Sequence, residues 1–251
     1  GAENAVDPSA NAEYAKTPSS FDRSKEPPYG PAPVVKVPQV WDTRLANGMR
    51  VVGIENDEVP LVEFDIAVDG GLLLDKPEKV GVANLMARLM TQGTAKKTPQ
   101  ELEEAIQQLG ASINVFARNE DVRIGVTTLA RNYQATLDLV EEILLQPRWD
   151  EKEFALIKQS VLSQIRQQEA EPNAVASLNF GKLVYGKDDP RSRNILGTVE
   201  SVNAITIDDL KDYYRANLSP SVARMHVVGA LPKASVTRSL AELDREWKAK
   251  P

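Results

Sequence analysis

Apolar residues recur along the chain with two spacings, and each spacing predicts a different kind of element. Where every second residue is apolar, the pattern is typical of a strand that buries one face. Strands are predicted on this basis at Leu61–Asp69, Ser112–Ala117, Asp121–Leu129 and 223–228. A hairpin is predicted over 44–54, because Asn47 followed by Gly48 is a strong short turn signal.

Where apolar residues recur every three or four positions, the pattern predicts helices with one buried face. Such segments lie at 81–90, 98–109, 132–145, 150–171 and 174–183, and a further helix starts at Thr206. Three helix starts carry capping signals, in which Thr98 is followed by Glu101, Asp150 by Glu153 and Thr206 by Asp209. Strands interspersed with paired helices predict an α+β fold, with helices packed on a mostly antiparallel or mixed sheet.

The first 39 residues differ from the rest of the chain in composition. They hold seven of its 16 prolines among Ser, Asn, Ala, Lys and Glu, with little apolar periodicity. Proline favours extended backbone, so the segment is predicted to be a partly extended linker or strap. A disordered tail explains the same composition equally well. The sequence therefore predicts two parts, a proline-rich segment at 1–39 and a single α+β module at 40–251.

Composition and charge narrow the class of protein. The 251 residues have a formal net charge of -6, and Lys and Arg are scattered, so no nucleic-acid partner is expected. No run approaches the roughly 20 apolar residues that cross a bilayer, so no membrane span is expected. The chain has no cysteine and one histidine, His226, which excludes thiolate sites and sites built on two histidines.

Six strings of the module carry a family likeness when they are taken in order. They are LANGMRV at 45–51, FDIAVDGG at 64–71, GVANLMARLMTQGT at 81–94, IQQLGASINVFARNEDVRIGV at 106–126, VLSQIRQQEAEP at 161–172, and the segment 195–229. Each is weak alone, but together they resemble the insulinase and pitrilysin family of zinc metallopeptidases. That family includes the mitochondrial processing peptidases and the core proteins of the bc1 complex. The likeness extends from about residue 40 to the C-terminus.

The resemblance implies where a zinc site would lie. In such peptidases one helix carries His-x-x-Glu-His, whose histidines hold Zn²⁺ and whose glutamate is the general base. A later helix supplies a third ligand, again a glutamate. The resemblance places Asn84 and Arg88 at the histidine positions, Ala87 at the general-base position and Gln164, 76 residues after Arg88, at the third-ligand position.

The residues at these positions lack the chemistry that the motif needs. Amides are poor zinc ligands, alanine accepts no proton, and arginine places a fixed cation where a dication would sit. The departure covers Asn84, Ala87, Arg88 and Gln164 together. No catalytic residue, cofactor site or metal site is therefore predicted in this chain.

The family resemblance implies a supporting role for such a chain. These peptidases pair a zinc-bearing half with a half that lacks the motif, and the two halves enclose the peptide substrate. The chain is expected to be a non-catalytic module of this kind, inactive alone, with zinc in a partner half of the same polypeptide or in a homologous subunit. The alternative is a purely structural assembly subunit resembling the bc1 core proteins. A hydrolase with another nucleophile has no Ser/His/Asp arrangement to support it.

The residues of the altered motif leave two hypotheses open. Asn84 and Arg88 are interpreted as the solvated face of a helix whose other positions are packed into the core. The other hypothesis is that Arg88 pairs with a carboxylate or a neighbouring domain at the former zinc position. His226 lies in a strand-like segment far from the motif and is expected to be a structural or surface residue.

Other charged residues have both a functional and a purely structural interpretation. Arg191 and Arg193 fit a solvated loop better than a contact with substrate or a partner domain. Paired acids, Glu141 and Glu142 among them, are assigned to helix starts or exposed faces and need no catalytic role.

The start of the sequence bears on location. The chain begins with Gly1, so it is expected to be a processed form or a fragment, whose signal was removed or lies upstream. The lack of cysteine fits a reducing and an oxidising compartment equally. A periplasmic or cell-envelope location of bacterial type is favoured over the cytoplasm.

Overall fold

The computed structural model describes residue 22, residues 24–26 and residues 29–251. The chain divides into two compact units between Val37 and Pro38. Much of the proline-rich segment predicted at 1–39, including Pro8, Pro18 and the pair at 27–28, lies outside the described residues. Residues 29–39 belong to no helix or strand, and the choice between a strap and a tail stays a prediction.

Six strands form one sheet in the second unit. They are β1 (Val40–Arg44), β2 (Arg50–Glu55), β3 (Leu61–Asp69), β4 (Ser112–Ala117), β5 (Asp121–Leu129) and β6 (Ala223–Gly229). Their order across the sheet is β1-β2-β6-β3-β5-β4. Every neighbouring pair is antiparallel except β2 and β6, which confirms the predicted mostly antiparallel or mixed sheet.

The first hairpin lies slightly earlier than the sequence predicted. Arg44 ends β1 rather than starting it, and the turn spans 45–49. Asn47 accepts a hydrogen bond from the Met49 amide at 3.0 Å, while Gly48 has a φ of 102°, which favours glycine. The turn chemistry was predicted correctly. The strand bounds differ because β1 is defined by its backbone pairing with β2, which runs from Val40 opposite Ile54 to Arg44 opposite Arg50.

Nine helices of at least six residues lie in the described part of the chain. They are α1 (Val82–Met90), α2 (Pro99–Gln108), α3 (Tyr133–Leu145), α4 (Glu151–Ala170), α5 (Pro172–Tyr185), α6 (Val199–Ala204), α7 (Ile207–Asn217), α8 (Lys233–Ser239) and α9 (Ala241–Glu246). The capping boxes at Thr98 and Thr206 are present as predicted. The prediction missed α6, α8 and α9, which are too short to show a clear helical period.

The two faces of the sheet have opposite character. One face is apolar and is covered by helices, with Val51, Phe64 and Met225 almost fully buried. On the other face, the strand register aligns Arg50, Arg224 and Arg123 across the sheet. Charged side chains thus face outward on the strands whose apolar side chains build the core, as expected for a sheet with one solvated face.

None of the helices in the described chain is long and apolar enough to cross a membrane.

Candidate functional site

Helix α1, which carries the altered motif, is fixed at its N-terminus by a buried carboxylate. Asp75 accepts hydrogen bonds from the backbone amides of Gly81, at 2.8 Å, and Ala83, at 3.1 Å. Gly81 has a φ of 111°, and a side chain there would collide with the carbonyl oxygen of Leu196. Burial raises the pKa of Asp75 to about 6, although the two amides oppose the rise. The start of α1 is therefore held by residues outside the helix.

Helix α1 is buried on nearly all sides, because it contacts β4, α4 and α7. Of its nine residues, only Arg88 is more than 9% exposed, and Asn84 is 8% exposed. The prediction that Asn84 lies on a solvated face is therefore wrong. An amphipathic pattern indicates one core-facing side but does not show whether other elements cover the polar side.

The structure brings together three of the positions that the family resemblance singled out. The Arg88 guanidinium donates from Nε to Asn84 Oδ1 at 3.2 Å, one helical turn away, and from Nη2 to Gln164 Oε1 at 3.0 Å. Gln164 lies on α4, which packs beside α1. Ala87 is fully buried and offers no polar side-chain atom. Asn84, Arg88 and Gln164 are called the amide–arginine cluster below.

The charge of the cluster is not neutralised by an acid. Burial lowers the pKa of Arg88, and no carboxylate among the residues that the structure describes lies within ion-pair distance of it. The hypothesis of a carboxylate partner is therefore not met within the described module, and a partner in a neighbouring domain stays a prediction. Asn84 Nδ2 is also buried without a hydrogen-bond partner in this part of the chain.

The cluster does not fit a zinc ion. A zinc site takes nitrogen, sulfur or carboxylate ligands with a free lone pair, whereas a guanidinium has no lone pair to give and carries a positive charge. The described residues contain no group of three His, Cys, Asp or Glu side chains placed to hold a metal. In this chain, the Arg88 guanidinium reaches from α1 to Gln164 on α4.

The predicted loop residues have different neighbours. Arg191 forms a two-point ion pair with Asp189, with contacts of 3.0 and 2.8 Å, and lies over the Tyr185 ring. Arg193 lines a cavity of about 410 Å³ together with Lys182, between α4, α5 and the loop that follows α5. Neither arginine joins the amide–arginine cluster. Arg191 is half exposed, which agrees with a solvated loop.

His226 lies on the charged face of the sheet, away from α1. Its side chain is 46% exposed, and its Nδ1 lies 3.3 Å from Asp65 Oδ1. Asp65 stands opposite His226 in the pairing of β3 with β6. His226 is therefore a surface residue of the sheet, as the sequence indicated.

The prediction that Glu141 and Glu142 are exposed is wrong. They are 7% and 8% exposed. Helix α3 is apolar on most sides, and the rest of the protein covers most of its surface, including these two acids. Glu142 pairs with Lys97 at 2.9 Å, whereas Glu141 Oε1 is buried without a partner in the described chain. Both line a cavity of about 510 Å³, and burial raises the pKa of Glu141 to about 7, with Glu242 and Asp138 adding to the rise.

A signal for the burial of these glutamates was present in the sequence. The segment from Tyr133 to Leu145 reads YQATLDLVEEILL, in which apolar residues occur on every face of the helix. A helix that is apolar all round is normally buried, and its charged residues are then buried with it. The prediction gave more weight to the two neighbouring acids, because pairs of acidic residues are usually exposed to solvent.

Comparison with known proteins supports the family likeness. Residues 50–198 match the family model described as Insulinase (Peptidase family M16). The chain is 23% identical over 218 residues to the probable mitochondrial-processing peptidase subunit beta of Arabidopsis thaliana, covering 87% of this chain and 41% of that protein. It is 26% identical over 164 residues to the non-peptidase homolog YmxG of Helicobacter pylori, covering 65% and 38%.

A solved structure shares the fold. It is described as a peptidase M16 inactive domain from Pseudomonas fluorescens, with a TM-score of 0.80 and 23% sequence identity. The match covers 85% of this chain and 52% of that one. The chain therefore spans about half the length, or less, of the proteins to which it is similar.

Proposed function

Because the chain belongs to the insulinase family of peptidases, peptidase family M16, we propose that it is a non-catalytic module of a zinc metallopeptidase of this family. In this proposal it helps to enclose and bind a peptide substrate together with a separate zinc-bearing half. The zinc and the general base are supplied by that half, which lies in the same polypeptide or in a homologous subunit.

The amide–arginine cluster carries this proposal. The family resemblance assigns the three zinc-ligand positions to Asn84, Arg88 and Gln164, and these side chains are joined by hydrogen bonds of 3.2 and 3.0 Å. In this proposal the module keeps the family fold, while none of the three side chains suits a zinc ion. A retained fold with replaced ligands favours a structural contribution to a peptidase over a catalytic one.

The edge of the sheet is a suitable surface for an extended peptide. β4 is an edge strand that pairs with β5 on one side only, and it contacts α1, the helix of the cluster. Extended peptides commonly add to such an edge through backbone hydrogen bonds. Phe116 on β4 is 41% exposed and offers an apolar contact beside the edge. We assign peptide binding in this module to β4.

Reconstitution tests the proposed function. The zinc-bearing half, recognised by its His-x-x-Glu-His helix, is purified alone and together with the complete polypeptide that contains this module, called the parent chain. Cleavage of an internally quenched unstructured peptide is expected only when both are present. A parent chain that lacks residues 40–251 is the control and is expected to leave the zinc-bearing half inactive. Equal cleavage by the zinc-bearing half alone would exclude the proposed role.

A second candidate is a structural assembly subunit without any proteolytic partner. The relative from Helicobacter pylori is named a non-peptidase homolog, and this name favours the second candidate. The two candidates differ in what co-purifies with the parent chain. A partner with His-x-x-Glu-His and a later glutamate supports the peptidase, and a stable complex without such a partner supports the assembly subunit.

We also propose a periplasmic or cell-envelope location. One solved structure with the same fold is described as a periplasmic protease from Escherichia coli, but at 15% identity it supports the fold alone. Cell fractionation followed by immunodetection of the parent chain tests the location, and recovery in the cytoplasmic fraction would contradict it.

A further inference from the structure

Arg88 keeps a positive charge that no acid in the described chain neutralises. Its two hydrogen-bond partners there are neutral amides, Asn84 Oδ1 and Gln164 Oε1. A guanidinium stays protonated in proteins, so it cannot remove its charge by losing a proton. Charged groups that are partly withdrawn from water are normally paired with an opposite charge. The module therefore contains a cation without its usual partner.

The guanidinium also has N–H donors that form no hydrogen bond within the described chain. Arginine has five N–H donors, and Nε and Nη2 each use one on the neighbouring amides. Nη1 donates no hydrogen bond within the described residues and does not belong to their buried unpaired atoms, so solvent reaches it. Its two N–H groups are thus available to an incoming acceptor.

The two amides fix the orientation of these donors. Asn84 is one helical turn from Arg88 on α1, and Gln164 holds the guanidinium from α4, so the plane of the group is set by two elements. Asn84 is almost fully buried and cannot move freely. A donor group that is held in place loses little conformational entropy when it binds an anion. This arrangement favours a binding site over a mobile surface arginine.

We propose that Arg88, held by Asn84 and Gln164, is a binding site for a carboxylate group of a polypeptide. A planar carboxylate matches the planar guanidinium, and charge-assisted hydrogen bonds of this type are among the stronger ones in proteins. The site lies at the positions that the family resemblance assigns to a cation, but it has the opposite preference, for an anion. The proposal depends on Arg88 and its neighbours and does not require that the proposed peptidase role is correct.

Nuclear magnetic resonance on the ¹⁵N-labelled chain tests the site directly. The Nε–H signal of Arg88 is assigned by its absence in Arg88→Gln and is followed during additions of sodium acetate and sodium chloride at equal ionic strength. A saturable shift with acetate and none with chloride is expected. An equal response to both salts, or no saturable response to acetate, would overturn the proposal.

Three peptides distinguish the source of the carboxylate. They share one length and an acetylated N-terminus, and they carry an internal Glu with an amidated C-terminus, an internal Gln with a free C-terminus, or an internal Gln with an amidated C-terminus. Binding of the first assigns the site to acidic side chains, and binding of the second assigns it to C-termini. If the third binds as tightly as the other two, the site does not recognise carboxylates.

Matched variants separate the site from general charge effects. Arg88→Gln is expected to weaken acetate or peptide binding at least about tenfold, because a charge-assisted bond is lost. Arg88→Lys keeps the charge but loses the planar fork, so an intermediate affinity is expected. Arg191→Gln removes an arginine that already pairs with Asp189, and binding is expected to be unchanged. If binding by Arg88→Gln is also unchanged, the proposal is wrong. Should that variant not fold, Arg88→Lys, which also lacks the arginine Nε–H, assigns the signal, and the response of the unaltered chain decides.

Discussion

The space between α1 and α4 and the cavity beside α3 each contain a charged group that is withdrawn from water and forms no ion pair within the described chain. Arg88 in the first is held by two amides, and Glu141 in the second has an unpaired carboxylate oxygen. Glu141 can take up a proton, and burial raises its pKa to about 7. Arg88 cannot lose its proton near neutral pH. A buried acid can therefore become neutral, whereas a buried arginine needs polar neighbours and, in our proposal, an anion.

The same contrast explains why only one of the two places supports a ligand site. The cavity beside Glu141 is lined by further acids, Asp138 and Glu242, and also by Lys96. Protonation satisfies Glu141 without any ligand. The guanidinium of Arg88 cannot remove its charge in this way. An unpaired charge therefore indicates a ligand only when the group cannot change its own protonation.

The largest expected effect comes from converting the cation into a metal site. The combined variant Asn84→His, Ala87→Glu, Arg88→His and Gln164→Glu is expected to bind one zinc ion per chain, because Arg88 is within hydrogen-bond distance of both neighbours. The unaltered chain is expected to hold no stoichiometric zinc. Metal analysis after dialysis measures both.

A matched control carries Asn84→His, Ala87→Glu and Arg88→His but keeps Gln164. It lacks the third protein ligand and is expected to bind zinc more weakly. A folded four-residue variant that binds no zinc would show that α1 and α4 do not present these positions to a common point.

A smaller effect is expected from substitution of Glu141, the buried acid that is compared with Arg88 above. The pKa of Glu141 rises from 4.5 in the unfolded chain to about 7 in the folded protein, so the folded state binds more protons between these values. The ionised form costs about 3 kcal/mol of stability above pH 7, and this cost disappears as the pH falls to about 4.5. Glu141→Gln imitates the protonated acid and is expected to be about 3 kcal/mol more stable at pH 8 and unchanged at pH 4.5.

Denaturant unfolding at several pH values measures this difference. Glu142→Gln is the control, because it removes the ion pair with Lys97 at 2.9 Å and is expected to reduce stability at neutral pH. Arg88→Gln is expected to change stability by the same amount at pH 5 and pH 8, since a guanidinium does not titrate there. A stability gain of Glu141→Gln that does not depend on pH would contradict the assigned ionisation.

The smallest expected effect concerns the amide that reaches Arg88 from α4. Gln164→Ala removes one hydrogen-bond acceptor at 3.0 Å from the guanidinium and is expected to cost about 1 kcal/mol. Gln167→Ala, three residues later on the same helix, is the control and is expected to have no comparable effect. Thermal unfolding measures both variants. Equal stability of the two would show that Gln164 does not contribute to holding Arg88.

Local signals in the sequence were reliable where the structure depends on neighbouring residues. The capping boxes at Thr98 and Thr206 are present, and the strand Leu61–Asp69 has the predicted bounds. A capping box involves residues three apart, and strand alternation is read within one segment, so both are visible without the fold. The short helices α6, α8 and α9 were missed because their few residues show no period.

Burial was predicted less well, because it depends on elements far apart in the chain. Asn84 and Glu141 are polar residues on helices, and each was assigned to a solvated face. Asn84 is covered because α1 contacts β4, α4 and α7, whose residues lie up to about 130 positions away. Polarity alone does not show whether a second element packs over a residue.

The sequence by itself determined the family and most of the α+β elements, and it predicted that Asn84, Ala87, Arg88 and Gln164 replace the zinc-site residues, because these are matters of residue type and order. Only the tertiary structure decided that Asn84, Arg88 and Gln164 meet, that Asn84 is buried and that Arg88 has no acid beside it in the described chain. Side chains that are 76 residues apart come into contact only through the packing of α4 on α1. Their charge balance is therefore a property of the fold.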